Sequence, residues 1–174
     1  MGKGFAIKTG FRKAKGAAII FLDSDSDIDT RQVKRFIDSL RTADIVIGSK
    51  RHQNSIVRMP LIRRLFSRSF NVLVQLLTGI RVSDTQTGIK AIKREAFLDI
   101  FDQLCVKRYA YDVELLVLAK IYGLKVSEVP VNLCINENFS LKDSWHMFID
   151  LLGITYRLRI KKWYHRGAPQ HTNF

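Results

Sequence analysis

Two kinds of apolar run alternate along the chain. The first recurs at helical spacing. Ala6, Ile7, Gly10, Phe11 and Ala14 predict a helix over about 4–15, ended by Gly16. Val33, Phe36, Ile37 and Leu40 predict a second helix, with Thr30 as its N-cap. Pro60 suits the first turn of a long helix that runs to Thr78, just ahead of Gly79. Further helical segments are expected near 94–101, over 111–122 up to Gly123, and over 141–162. The second kind of run is short and continuous. Ala17–Leu22 is unbroken and apolar, as in a strand buried on both faces; 44–48 and 89–92 read as two more strands. Residues 126–133 alternate partly, and Pro130 places that strand at an edge or a bulge. Residues 51–59 read as a loop. Strands alternating with helices predict an α/β fold with a mostly parallel sheet.

The 174 residues carry 47% hydrophobic and 26% charged side chains, ordinary values for one globular domain or a large part of one. No apolar run nears the ~18 residues of a spanning helix. Two cysteines, Cys105 and Cys134, make neither a disulfide framework nor a zinc site, and the four histidines show no ligand spacing. Charge changes the picture more. Lys and Arg number 29 against 16 Asp and Glu, a net charge of +13, so the partner is expected to be anionic. The excess is uneven. From Ile45 to Ser83 there is no acid, but Lys50, Arg51, Arg58, Arg63, Arg64, Arg68 and Arg81 are all basic. Asp23, Asp25, Asp27 and Asp29 instead crowd the end of the first apolar run.

That acidic cluster has two readings. In open α/β sheets ligands bind beyond the carboxyl ends of strands, where Asp23 and Asp25 could share one Mg²⁺ or Mn²⁺ with substrate phosphates. Alternatively it is an aspartate-rich turn that caps the next helix. The 60–78 helix is also ambiguous. Arg64, Ser67, Arg68, Asn71, Gln75 and Thr78 form one polar stripe on an otherwise apolar surface. Such a helix fits either a membrane interface or a core helix with a solvated edge. The segment from Trp145 to Tyr164 mixes apolar, aromatic and basic residues, in keeping with an interfacial anchor or with a packed terminal helix and a basic tail.

Six segments in order carry a resemblance. They are Gly2-Lys3-Gly4-Phe5, Ile20-Phe21-Leu22-Asp23-Ser24-Asp25, Val46-Ile47-Gly48-Ser49-Lys50, Arg64-Leu65-Phe66-Ser67-Arg68, Ser83-Asp84-Thr85-Gln86-Thr87-Gly88, and Tyr109-Ala110-Tyr111-Asp112-Val113-Glu114 followed by Glu128-Val129-Pro130-Val131. Together they resemble the inverting family-2 glycosyltransferases of GT-A (Rossmann-like) fold, in particular the polyprenyl- or dolichyl-phosphate glucosyl- and mannosyltransferases, over about residues 1–160. The family pattern opens with strands that bind the nucleotide base, whereas this chain starts at the Gly-Lys-Gly helix. The resemblance therefore implies an N-terminally incomplete sheet, with a partner chain or second copy as one way to complete it. It implies a partial transferase domain over 1–140 and an amphipathic basic helix and tail over 141–174.

Roles follow from the same resemblance. Asp23 and Asp25, with Mg²⁺ or Mn²⁺, would hold the diphosphate of a nucleotide sugar, UDP-glucose or GDP-mannose, with Lys3 nearby. Lys50 stands where the family has arginine, a swap that keeps charge and loses bidentate geometry, with Arg51 next to it. Arg64, Ser67 and Arg68 would grip the acceptor's phosphate. Asp84 and Gln86 are placed at the reacting centre, where positioning matters more than base strength because a phosphate acceptor is already ionised. Asp112 and Glu114 cannot share a helix face, so one is expected in the site and the other against a base such as Lys90. The segments 109–114 and 84–86 favour glucose. The expected activity is metal-assisted hexosyl transfer to a polyprenyl phosphate at the cytoplasmic membrane surface, without nucleic acid. The alternative is an inactive or partial basic α/β protein that binds anionic lipid or nucleic acid.

Overall fold

The computed structural model describes residues 3–23, 27–28, 30–106, 110–135 and 141–167. Among the described residues there are six α-helices: α1 (Lys3–Lys13), α2 (Val33–Ser39), α3 (Leu61–Thr78), α4 (Leu98–Gln103), α5 (Tyr111–Ile121) and α6 (Leu141–Thr155). The strands are β1 (Ala18–Leu22), β2 (Asp27–Ile28), β3 (Ile45–Ser49), β4 (Ile56–Arg58), β5 (Ile89–Lys93), β6 (Val126–Pro130) and β7 (Asn132–Cys134). The main sheet has the order β1-β5-β3-β6, and a smaller one has the order β2-β7-β4.

β3 and β6 are parallel, but β5 lies antiparallel between β1 and β3. Three of the four strands thus run one way, as expected of a mostly parallel sheet, yet two of its three ladders are antiparallel. The inserted β5 carries a loop, residues 80–88, to the rim where β1, β3 and β6 end.

The two sheet faces are covered unequally. On one, Ile45, Ile47 and Ile92 join Val74, the buried side of α5, and Leu151 and Ile154 of α6 in the larger core. On the other, Val46, Ile89, Ala91 and Val129 pack with Phe36 and Leu40 of α2. Period-2 alternation along β3 sends successive side chains to the two cores, which is why all five of its residues are buried. α5 is the most enclosed helix: every residue from Tyr111 to Ala119 is buried, Asp112 and Glu114 included.

Several local expectations change. β1 is not buried on both faces. It pairs only with β5, so Ala18 and Leu22 are exposed and Ile19 alone is buried. The N-cap of α2 is Gln32, after a 3₁₀ turn over Thr30–Gln32, and its side chain bonds the Asn132 N–H (2.7 Å) and C=O (3.0 Å) instead of capping. The 51–59 loop contains the short strand β4, parallel to β7. The last helix turns into a single π turn at Tyr156–Ile160 and ends where Lys162 adopts φ 48°. Other expectations hold. Pro60 is the N-cap of α3, and Gly79 closes it in the left-handed conformation that a Cβ disfavours (φ 69°). β6, which ends at Pro130, is a sheet edge.

Candidate active site

The site lies at the rim where β1, β3 and β6 end, and β3 supplies its centre. Lys50 follows Ser49 at the strand end, so its ammonium meets the 80–88 loop. Nζ is 2.8 Å from Asp84 Oδ2 and donates to the Gln86 carbonyl (3.1 Å). Asp84 is 1% exposed and is saturated with donors: the Lys50 N–H (3.0 Å) and Thr87 hydroxyl (2.6 Å) reach Oδ2, and the Gln86 N–H (3.1 Å) reaches Oδ1. Burial alone would raise the Asp84 carboxyl pKa. The Lys50 ammonium and these hydrogen bonds outweigh it and hold the group at about 2. Burial pushes the Lys50 ammonium down despite the pull of Asp84, and Lys90 and Arg51 add to that push. An Asp84 held so far down is a weak proton acceptor; it orients its neighbours and balances Lys50.

The loop is pinned from three sides. From α3, Asn71 Nδ2 and Gln75 Nε2 donate to the Val82 carbonyl (3.2 and 2.8 Å), and Asn71 Oδ1 accepts the Thr85 N–H (3.2 Å). From β6, the Glu128 carboxylate accepts both the N–H (2.7 Å) and the hydroxyl of Ser83. From β3, Ser49 Oγ lies 2.5 Å from Ser83 Oγ. Arg51 turns the other way and donates to the Ser67 carbonyl of α3 (2.8 Å).

Asp23 reaches the same loop at its far end: its N–H donates to the Gly88 carbonyl (2.8 Å). Gly88 allows this approach, because a Cβ there would stand 2.8 Å from Asp23 Oδ2. Gly88→Ala is therefore expected to displace the Asp23 carboxylate and to cost about 1–3 kcal/mol by overpacking, read as a lower urea midpoint at unchanged m-value. Burial, with the carboxylates of Asp112 and Asp23 adding to it, pushes the Tyr111 phenol up, so it stays neutral. Beneath it Lys90 and Asp112, both buried, form an ion pair (2.9 Å), and Lys90 also donates to the Thr87 carbonyl. Lys90 is thus the basic partner of Asp112.

Glu114 lies elsewhere. It is fully buried and accepts from the N–H groups of Cys105 (2.9 Å) and Val106 (2.7 Å), from the Tyr164 hydroxyl and from Arg157 (3.4 Å). Burial and Glu114 push the Tyr164 phenol up, keeping it protonated as a donor.

Of the candidate residues, the structure brings together Lys50, Asp84 and Gln86, joins Arg51 to Ser67, and sets Asp23 beside Gly88. Arg64 and Arg68 are exposed on α3, apart from these contacts. Lys3 opens α1, and its side chain, like Asp25, lies outside the described residues. No cluster of three metal-ligating side chains occurs among the described residues. The described donor is the hard carboxylate of Asp23, which suits Mg²⁺ or Mn²⁺, ions that take one or two carboxylates plus phosphate and water. Sequence reasoning missed Ser49, Ser83, Glu128 and Thr87. In the sequence Glu128 is only one letter of a motif, and its partner lies 45 positions away. Two polar atoms near the centre, Thr85 Oγ1 and Gln86 Nε2, are buried without a hydrogen-bond partner among the described residues.

Around the rim the surface is apolar and basic. Leu61, Ile62, Leu65, Val72 and Leu76 of α3 are exposed, as are Trp145, Tyr156, Ile160 and Trp163 of the C-terminal segment. Arg159 ties the two by donating to the Leu76 carbonyl (3.0 Å). No helix among the described residues is long and apolar enough to cross a membrane.

Comparison with known proteins gives a consistent picture. The human dolichyl-phosphate beta-glucosyltransferase is 32% identical over 174 residues, covering 93% of this chain and 54% of that protein. The Drosophila melanogaster dolichyl-phosphate beta-glucosyltransferase is 33% identical over 174 residues, covering 93% and 53%. The chain thus spans about half the length of these relatives. In fold it matches glucosyl-3-phosphoglycerate synthase from Mycobacterium tuberculosis, solved with Mn²⁺, UDP and glucosyl-3-phosphoglycerate, at a TM-score of 0.66 and 18% identity over 98% of this chain and 57% of that one. The family model described as glycosyl transferase family 2 matches residues 1–101, more than half of the sequence, and the chain belongs to that family.

Proposed function

We propose that this chain forms the acceptor-side part of a transferase that moves glucose from a nucleotide sugar to a polyprenyl phosphate of the dolichyl type, with inversion, at a membrane surface. The observation that carries the reading is the Lys50–Asp84–Gln86 assembly, held between Asp23 and the basic, apolar-flanked α3. An acceptor phosphate oxygen attacks the anomeric carbon, the new C–O bond forms, and the bond to the nucleoside diphosphate breaks on the opposite face. Bound at Asp23 and Asp25, Mg²⁺ or Mn²⁺ would neutralise charge on the departing diphosphate. Lys50, paired with Asp84, lies at the rim, and the Gln86 amide nitrogen, without a partner among the described residues, would donate to a sugar hydroxyl or phosphate oxygen. Arg64 and Arg68 meet the lipid phosphate, while exposed Leu61, Leu65, Trp145 and Trp163 rest in the headgroup layer. Glucose is favoured over mannose because the relatives carry glucosyltransferase names. Mn²⁺ is supported by the Mycobacterium tuberculosis synthase, solved with Mn²⁺ and UDP.

Thermal denaturation with Mn²⁺ and UDP tests this. At a hundredfold excess over Kd the expected rise in Tm is about 5–10 °C. Asp25→Ala is expected to abolish it. Absence of any shift, or one that Asp25→Ala leaves intact, overturns the reading.

A further inference from the structure

Glu128 sits on β6, opposite Ile47 of β3, and is none of the groups proposed to touch substrate. Its carboxylate nevertheless holds Ser83 at two points, the backbone N–H and the hydroxyl. Ser83 immediately precedes Asp84. Its hydroxyl also lies 2.5 Å from Ser49 Oγ, which accepts the Arg51 N–H (3.2 Å). One carboxylate on the sheet edge therefore anchors both segments that form the centre of the site: the end of β3 with Lys50 and Arg51, and the loop with Asp84 and Gln86. The two segments meet again through the Lys50 N–H and ammonium on Asp84, a contact that does not involve Glu128. A second path supports the same strand end. Ser55 donates to the Ser49 carbonyl (2.6 Å) and accepts the Val131 N–H (3.0 Å), so the end of β3 is also tied to the residue that follows β6.

We infer that Glu128 sets the approach of Lys50 to Asp84 by clamping Ser83 against Ser49. Its distance from the reacting groups is the point of the assignment: it touches neither Lys50 nor Asp84 and acts only through the two serines. A carboxylate suits the task because it accepts an N–H and an O–H side by side, and each charge-assisted bond is stronger than its neutral counterpart. Glutamine in its place keeps the shape and loses one acceptor and the charge. The inference rests on the functional reading for its meaning, but its test does not.

Amide hydrogen exchange on the intact chain, Glu128→Gln against wild type, is the measurement. The Lys50 and Gln86 N–H groups both donate to Asp84, and neither touches Glu128. Their exchange is expected to quicken at least tenfold, while that of Ala91, inside β5, stays unchanged and reports an intact sheet. Faster exchange at Ser83 alone shows a purely local bond and overturns the inference. If the glutamine variant unfolds, Ser83→Ala replaces it, removing the hydroxyl that links the two segments. The Lys50 and Arg51 amides must then lose protection, and their unchanged exchange overturns the inference. Nucleotide binding is not read in this experiment, so its outcome is independent of the Mn²⁺ and UDP result.

Discussion

Asp84→Ala is expected to lower the free energy of unfolding by about 3–5 kcal/mol, read as a fall in Tm of order 10 °C. The cost comes from what the substitution leaves behind. Lys50 is left in a largely buried position, its side chain 10% exposed, without its counter-charge. The N–H groups of Lys50 and Gln86 and the Thr87 hydroxyl lose their acceptor at the same time. Asp84→Asn keeps the volume and an acceptor oxygen but not the charge, so its loss is expected to be smaller than that of alanine. Adding Lys50→Met to Asp84→Ala is expected to restore part of the stability, because a buried pair replaced by apolar groups costs less than a pair half removed.

The same carboxylate sets an acid limb. Held at about 2, against an ordinary aspartate value of 3.8, Asp84 stabilises the fold fully above about pH 4, and that contribution drains as pH falls toward 2. The native state binds the proton more weakly than the unfolded chain, so protonation favours unfolding. The difference corresponds to about 2 kcal/mol, to be seen as a steep drop in the urea midpoint between pH 4 and 2 that Asp84→Ala flattens.

The second large effect is expected at Glu114. Glu114→Ala removes the shared acceptor of the Cys105 and Val106 amides, the Tyr164 hydroxyl and the Arg157 guanidinium. The buried Val106 amide and the donor of the buried Tyr164 phenol lose their acceptor, at about 1–3 kcal/mol for each group that water cannot reach, so a total of at least about 2 kcal/mol is expected. The damage should also be directional. Tyr164 and Arg157 belong to the segment after α6, and Arg157 also donates to Tyr164 (2.8 Å). Limited proteolysis is expected to cut the variant first between Arg157 and His165, under conditions where wild type resists. A uniform loss of protection across the chain would count against this view of Glu114 as the clamp of the C-terminal segment.

Much of this molecule is legible in its sequence where the signal is local. The period of Val33, Phe36, Ile37 and Leu40 found α2, and Pro60 and Gly79 bracketed α3 to within a residue. The polar stripe through Asn71 and Gln75 was visible too, although its task, holding the Val82 carbonyl, needed the fold. What stayed hidden depends on which strand lies beside which. An apolar run says that a strand is covered but not by what, so the half-open β1 and the reversed β5 read like any other buried strand. β4 is three residues long, too short to declare a period. The Glu128–Ser83 clamp joins residues far apart in the chain, and nothing near either one announces it. Lys90 was expected as the base for one of Asp112 and Glu114, and it is the fold that gives it to Asp112, where each buried charge needs its partner.

α3 shows how such a protein divides its sequence freedom. Along its inner side Asn71 and Gln75 are committed to one carbonyl and one amide, so exchanges there would loosen the loop that carries Asp84. Along its outer side Leu61, Leu65, Val72 and Leu76 face no partner within the described chain, and any residue of similar greasiness would serve. Homologues could vary that outer side while leaving the loop that carries Asp84 untouched, two inheritances carried by one rod.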